Sequence, residues 1–140
     1  MADCNMCKTL AQAAVQAREN AYAPYSKFEV GAAVLGTDGN IYTGCNIENA
    51  SYTPTICAER TAVFKAVSEG KKEFAAIAII GGPAGEKGRF CAPCGVCRQV
   101  LREFCALDFR ILLGTTEEVK SYTLADLLPT SFGPADLKGE

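Results

Sequence analysis

Two groups of cysteines carry the clearest chemical pattern in this sequence. Cys57 stands two residues before Glu59, and Cys94 and Cys97 are separated by two residues. A two-residue gap allows both sulfurs to reach one tetrahedral metal ion. Each group lies at the start of a predicted helix, where unpaired N–H groups and the helix dipole stabilise thiolates. Because the sequence contains no histidine, a metal site here must be made of thiolates and carboxylates.

The number of ligands distinguishes a catalytic from a structural zinc site. Cys57, Cys94 and Cys97 would leave the fourth position open for water, whereas Cys91 could close the site as a fourth thiolate. Glu59 favours the open, catalytic site, since a carboxylate beside the metal can take a proton from water and pass it on. The alternative is a first-turn glutamate that only interacts favourably with the helix dipole. On spacing alone, both interpretations stay open.

The spacing of Cys57 and Glu59 also constrains the helix that carries them. Residues two apart in an α-helix point about 200° away from each other, since each residue turns about 100°. The two side chains can therefore face one site only if Cys57 occupies the helix cap or the first turn. We predict that this helix begins at the site and does not pass by it.

The remaining pattern predicts helices that alternate with short apolar strands. Helices are expected at residues 4–22, 57–68, 94–104 and 123–128, and strands at residues 28–35, 41–45, 74–80, 109–113 and 118–122. Such an alternation indicates an α/β sandwich around a single mixed sheet. No repeat or linker divides the chain, so we predict one domain over residues 1–132 and a mobile tail over residues 133–140.

Length and charge favour a small partner. The chain has 140 residues and a formal net charge of −2, and it lacks the basic runs that bind nucleic acid polymers. Residues 1–20 contain no sustained apolar stretch, so neither a signal peptide nor a membrane span is predicted. Eight cysteines without such a signal indicate thiols in a reducing compartment. We therefore expect a cytoplasmic protein that binds neither nucleic acid polymers nor membranes.

The chemical motifs resemble those of a known enzyme family. Cys57-Ala-Glu59 with Pro93-Cys94-Gly-Val-Cys97 resembles the zinc deaminase signature in its three-cysteine form. Three further segments look like those of small homotetrameric cytidine deaminases: Phe28-Glu-Val-Gly-Ala-Ala33, Gly44-Cys-Asn46-Ile-Glu48-Asn49-Ala-Ser-Tyr52 and Cys97-Arg-Gln-Val-Leu101. The resemblance runs in order from about Lys8 to Phe132. It implies a three-layer α/β/α sandwich with a mixed sheet of about five strands.

The resemblance implies a reaction and the residues that perform it. One Zn²⁺ per subunit would be bound by the three cysteines and would activate a water that attacks C4 of cytosine. Glu59 would accept the proton of this water, and the same carboxyl group would then protonate N3 and the departing amine. Cytidine and 2′-deoxycytidine would thereby become uridine and 2′-deoxyuridine in pyrimidine salvage. Arg60 would donate hydrogen bonds to a ligand sulfur and offset the negative charge of three thiolates.

The resemblance also implies substrate contacts and sites shared between the subunits of a homotetramer. Asn46 and Glu48 would hold the ribose hydroxyls, and Phe132 would close over a neighbouring subunit's site. By spacing alone, however, such polar residues are more typical of a solvated loop. The full set of implied substrate-binding residues is Phe28, Asn46, Glu48, Asn49, Ala50, Ser51, Tyr52 and Ala58.

Two other functions are compatible with the sequence. A related enzyme could deaminate another aminopyrimidine nucleoside such as blasticidin S, although the segment from Asn46 to Tyr52 favours the ordinary nucleosides. A non-catalytic, zinc-stabilised interaction module predicts four cysteine ligands, including Cys91, and loss of folding when Cys91 is replaced. The catalytic interpretation predicts a folded, zinc-binding and active protein after the same replacement.

Overall fold

The computed structural model describes residues 4–139 and contains alternating helices and strands in the predicted order. The helices begin and end close to the predicted positions, and one short helix is added near the C-terminus. In chain order the elements are α1 (Cys4–Arg18), β1 (Phe28–Gly36), β2 (Ile41–Cys45), α2 (Ala58–Ser68), β3 (Phe74–Pro83), α3 (Gly95–Phe104), β4 (Arg110–Gly114), β5 (Val119–Thr123), α4 (Leu124–Leu127) and α5 (Pro134–Lys138).

The strands form one mixed sheet of five strands in the order β2-β1-β3-β4-β5. β1 pairs antiparallel with both β2 and β3, β3 pairs parallel with β4, and β4 pairs antiparallel with β5. The parallel pair is connected through α3, as a crossover between parallel strands requires. The prediction of a single mixed sheet of about five strands is confirmed.

Helices cover both faces of the sheet and form two apolar cores. On one face Ala32, Val34, Ile77 and Ile79 pack against α2 and α3, and on the other Ala33 and Ala78 pack against α1. Successive side chains of a strand point to opposite faces, so a strand buried on both faces has a continuous apolar sequence. The continuous apolar runs of β1 and β3 have this cause, and the three-layer α/β/α sandwich is confirmed.

Most predicted boundaries agree with the structure to within one residue, and the larger differences lie in α1, in β3 and near the C-terminus. α1 ends at Arg18 and not at residue 22, because the next amides donate to carbonyls three residues back and Tyr22 pairs with Ile47. β3 continues to Pro83 because its end pairs with Phe28 of β1. Within the expected mobile tail, residues 134–138 form α5, although the mobility of this segment stays a prediction.

Among residues 4–139, no helix is long and apolar enough to cross a membrane.

Close contact between α2 and β2 fixes where α2 begins. A Cβ atom added at Gly44 of β2 would lie 2.7 Å from the Ala58 carbonyl oxygen and 2.8 Å from the Thr61 Cβ. The first turn of α2 therefore lies directly against the backbone of β2. A glycine at position 44 is required for this approach, and the approach sets the position of the preceding residue, Cys57.

We expect Gly44→Ala to destabilise the protein by about 1–3 kcal/mol, because the added methyl group overpacks the contact with α2. The change in the free energy of unfolding is measured by urea denaturation. Gly95→Ala is the control, since a Cβ atom at this helix start would have no atom within 4 Å. Equal stability of the two variants would contradict the proposed role of the β2–α2 contact.

Candidate metal centre and active site

Two of the three cysteines cap helices. Cys57 is the N-cap of α2 and has an extended backbone, with φ −79° and ψ 157°. Cys94 is the N-cap of α3 and is also extended, with φ −71° and ψ 167°. The prediction that the helix carrying Glu59 begins at the site is therefore confirmed. The free N–H groups and positive ends of both helix dipoles lie beside the sulfurs, which favours thiolates there.

The sulfur atoms of Cys57, Cys94 and Cys97 lie within 4.8 Å of one another. The Sγ atoms of Cys57 and Cys94 are 3.6 Å apart, close to the ~3.8 Å expected for two thiolates on a tetrahedral zinc with Zn–S bonds of about 2.3 Å. The donor set therefore fits Zn²⁺. Within the described part of the chain, Cys91 does not belong to this cluster, so the three sulfurs leave the fourth position open.

Hydrogen bonds stabilise negative charge on the Cys57 sulfur, whereas the bond to Cys57 raises the pKa of Cys97. The hydrogen bond from the Cys97 thiol, together with Arg60, lowers the pKa of Cys57 to about 5. Arg60 Nη2 donates to Cys57 Sγ over 3.5 Å, and the Cys97 backbone N–H donates to Cys94 Sγ over 3.4 Å. Thiolates bind metal and thiols do not, so these contacts prepare the site for the cation.

Glu59 is the one buried charged residue among the described residues, and 4% of its surface is exposed. Burial is the largest cause of its shift and raises the pKa of Glu59 to about 7. A carboxyl group with a pKa near neutrality can both accept and release a proton at physiological pH. A bound zinc cation would favour the carboxylate and lower this pKa again. Glu59 is therefore suited to carry protons beside the cysteine cluster.

One cavity of about 280 Å³ connects the cysteine cluster with part of the predicted substrate site. Of the predicted residues, it is lined by Asn46, Glu48, Cys57, Ala58, Glu59 and Cys94. The other lining residues, which the sequence did not single out as substrate contacts, are Val30, Thr55, Ile56, Cys91 and Ala92. The cavity therefore brings Glu59 and two ligand cysteines together with the two residues predicted to hold ribose.

The side chains of Asn46 and Glu48 are held in place by backbone groups. Asn46 Oδ1 accepts from the Val30 N–H over 2.9 Å, and its Nδ2 donates to the Phe28 carbonyl over 2.8 Å. Glu48 accepts from the N–H groups of Tyr25 and Ser26 and from the Ser26 hydroxyl. The Ser26 hydroxyl is the largest cause that lowers the pKa of Glu48. Both residues therefore present fixed polar groups to the cavity.

The other predicted substrate residues lie outside this cavity. Asn49 and Tyr52 line an adjacent cavity of about 440 Å³, which Glu48 also lines. Tyr52 is 76% exposed and has a positive φ of 66°. The remaining three are Phe28, which is half-buried at the start of β1, and Ala50 and Ser51, which are exposed in a turn. Phe132 is 59% exposed beside α3, where its carbonyl accepts from Gln99.

Arg98 is a residue of the site that sequence reasoning missed. Its Nε donates to the Pro93 carbonyl over 2.8 Å, and its Nη1 donates to the Leu127 carbonyl over 2.6 Å. Pro93 immediately precedes Cys94, so Arg98 ties the cap of α3 to the end of α4. Its place in the motif after Cys97 was visible in the sequence, but its acceptors are backbone groups that no side-chain pattern reveals.

Comparisons with known proteins agree with the geometry. Residues 4–113 match the family model of the cytidine and deoxycytidylate deaminase zinc-binding region. Since the match spans most of the chain and the three cysteines fit zinc, the protein belongs to this family of zinc deaminases. The resemblance and the zinc cofactor inferred from the sequence are confirmed.

Within this family, the similar proteins are cytidine deaminases. The cytidine deaminase of Halalkalibacterium halodurans is 48% identical over 129 residues, which cover 91% of this chain and 95% of the relative. That of Sporosarcina psychrophila is 50% identical over 123 residues, covering 87% and 88%. The crystal structure of cytidine deaminase from Burkholderia pseudomallei superposes with a TM-score of 0.80 at 47% identity, covering 89% of this chain and 97% of that one.

Cys91→Ser should fold and retain one zinc per chain, because the Cys91 thiol lies outside the sulfur cluster. Cys94→Ser, the matched control, should lose most of its zinc. Zinc content is measured by atomic emission on dialysed protein, with circular dichroism as the check on folding. Loss of zinc and of folding in Cys91→Ser would instead establish a closed, four-cysteine structural site.

Proposed function

We propose that this protein is a cytoplasmic enzyme of pyrimidine salvage that hydrolyses cytidine and 2′-deoxycytidine to uridine and 2′-deoxyuridine with release of ammonia. One observation carries the proposal: the buried Glu59, two cysteines of the cluster and the polar pair Asn46 and Glu48 line one cavity. The similarity to cytidine deaminases supports the choice of substrate. Reduced thiols at the metal site support a reducing compartment.

The reaction requires one water and a group that moves protons. Zn²⁺ held by Cys57, Cys94 and Cys97 would supply the Lewis acidity that makes water a nucleophile at neutral pH. Glu59 takes the proton of the attacking water and delivers it to N3 of the base, while the water oxygen bonds to C4. The same carboxyl group then takes the second proton of that water from the new C4 hydroxyl group and passes it to the exocyclic amine. The C4–N bond breaks as the C4 carbonyl forms. Cytidine and water thus give uridine and ammonia.

We assign recognition of the sugar to the end of the cavity that Asn46 and Glu48 form. Glu48 is held as an anion by three donors from Tyr25 and Ser26, and a carboxylate has lone pairs left for a ribose hydroxyl. Charge-assisted hydrogen bonds of this kind are stronger than neutral ones. Asn46 presents its amide beside it. This pair would distinguish a nucleoside from free cytosine, which has no hydroxyl group to bind.

We assign the protein to a homotetramer with shared active sites, as the resemblance of its sequence implies, and two exposed side chains support a subunit interface. Tyr52 and Phe132 are large apolar side chains, and they are 76% and 59% exposed. Exposed aromatic residues of this kind are typical of protein interfaces. Asn49 and Tyr52 line the cavity that adjoins the active site. We assign this loop and Phe132 to walls that one subunit contributes to its neighbour's substrate site, and Phe28 to packing near the pyrimidine ring.

Glu59→Ala should keep its zinc and fold but lose at least about 100-fold in kcat, because the proton carrier is removed. Turnover is measured as the fall in ultraviolet absorbance with cytidine, 2′-deoxycytidine, cytosine and a short cytosine-containing oligonucleotide. We expect turnover of the two nucleosides alone. Retained activity in Glu59→Ala would contradict the mechanism. No turnover by the zinc-loaded wild-type protein would contradict the function.

Native mass spectrometry should show four chains per particle, and Phe132→Ala should raise KM about tenfold with zinc retained, because a wall of the neighbouring site is lost. Leu137→Ala is the control, since this residue is also exposed, at 83%, and lies in α5 of the same C-terminal segment. A monomer with full activity would contradict the shared site, as would equal effects of the two substitutions on KM.

A further inference from the structure

Arg18, the last residue of α1, donates hydrogen bonds to four backbone carbonyls. Its Nε donates to Glu29 over 2.7 Å and its Nη1 to Glu86 over 2.8 Å. Its Nη2 donates to Gly82 over 2.8 Å and to Pro83 over 2.9 Å. The acceptors come from three separate parts of the chain, namely β1, the end of β3 and the loop that follows. One side chain therefore joins α1 to all three.

These carbonyls mark the end of the β1–β3 ladder. Glu29 pairs with Gly82, and the next pair inward is Val30 with Gly81. A guanidinium group is a planar fork of five donors, which suits it to several acceptors at once. The approach of α1 is close here, since a Cβ atom at Gly31 would lie 2.6 Å from the Arg18 backbone nitrogen. Arg18 therefore fixes the ladder end and the start of the loop over residues 84–93.

The same ladder end is the base of the substrate cavity. A Cβ atom at Gly81 would lie 2.9 Å from the Cys91 Sγ and 3.0 Å from a Val30 methyl group. Val30 and Cys91 thus pack beside each other over Gly81, and both line the cavity that contains Glu59. The loop is held to the same place by the Arg89 N–H, which donates to the Gly81 carbonyl over 2.8 Å.

The zinc ligands are anchored independently of Arg18. Cys57 is placed by the contact of α2 with β2, and the cap of α3 is held by the bond from Arg98 to the Pro93 carbonyl. A change at Arg18 therefore moves the cavity wall formed by Val30 and Cys91 without releasing the cysteine cluster. A substitution of Arg18 should therefore weaken substrate binding and leave metal binding unchanged.

We infer that Arg18 is a positioning residue for substrate binding: by holding the Glu29, Gly82, Pro83 and Glu86 carbonyls, it fixes the position of the cavity wall that Val30 and Cys91 form. It touches neither the substrate cavity nor the cysteine sulfurs. The inference rests on the proposed nucleoside deamination, because KM for cytidine is the quantity that it governs.

Arg18→Met removes all four hydrogen bonds and keeps an unbranched side chain, whereas Arg18→Lys keeps a cation without the planar fork. We expect Arg18→Met to raise KM for cytidine about tenfold with kcat lowered less than about threefold, since a misplaced wall weakens binding. Arg18→Lys should recover part of the loss. Both variants should retain one zinc per chain. Hydrogen–deuterium exchange of residues 84–92 should become faster, which tests the loop without any turnover.

Leu10→Ala is the matched control for stability. Leu10 is a fully buried residue of α1 that is absent from the cavity lining, so its truncation weakens α1 packing without touching the four carbonyls. It should lower the melting temperature and leave KM and loop exchange unchanged. Unchanged KM and exchange in a folded Arg18→Met, or the same change in Leu10→Ala, would overturn the inference. Absence of turnover in the zinc-loaded wild-type protein would instead overturn the proposed function.

Discussion

The site depends on one physical constraint: three sulfur atoms must lie within 4.8 Å of one another at the N-termini of two helices. Three thiolates this close repel each other strongly, and the helix dipoles and Arg60 offset only part of that charge. A cation held between the sulfurs would neutralise the rest of that charge. Metal binding and the geometry of the two caps therefore stabilise each other.

The meeting of two helix starts at the sulfur cluster in turn constrains the residues that pack against these helices. The start of α2 approaches β2 so closely that residue 44 has no room for a side chain, and Gly44 meets this condition. The same turn buries the small residues Ala58 and Ala62 and the charged Glu59. Burial of a carboxyl group in an apolar core normally destabilises a protein. Here burial raises the pKa of Glu59, so a cost in stability coincides with a greater affinity of the carboxyl group for the proton that it transfers.

Much of this arrangement could be predicted from the sequence, because it follows from periodicity and from spacing. The apolar runs predicted strands at β1 and β3. The two-residue interval between Cys57 and Glu59 predicted a helix that begins at the site, and α2 begins there. The position of Cys91 could not be predicted, since it lies in a loop without periodicity and its distance from the sulfurs depends on long-range contacts. The contacts of Arg18 and Arg98 could not be predicted from the sequence either, because their hydrogen-bond acceptors are backbone carbonyls, which every residue has.

The two ends of the cavity differ in how they are built, and this difference follows from what each end must do. The end where the reaction takes place is formed by helix caps and a packed strand. A displacement of its reacting groups by about 1 Å would cost much of the reaction rate. The other end consists of loop residues, and its acceptor Glu48 is half-buried and fixed by backbone donors. A fixed acceptor loses little conformational freedom when a hydroxyl group binds to it, so the interaction free energy goes into affinity. If the protein deaminates nucleosides as proposed, the loops can therefore determine which sugar binds, while the helices hold the zinc ligands and Glu59 in place.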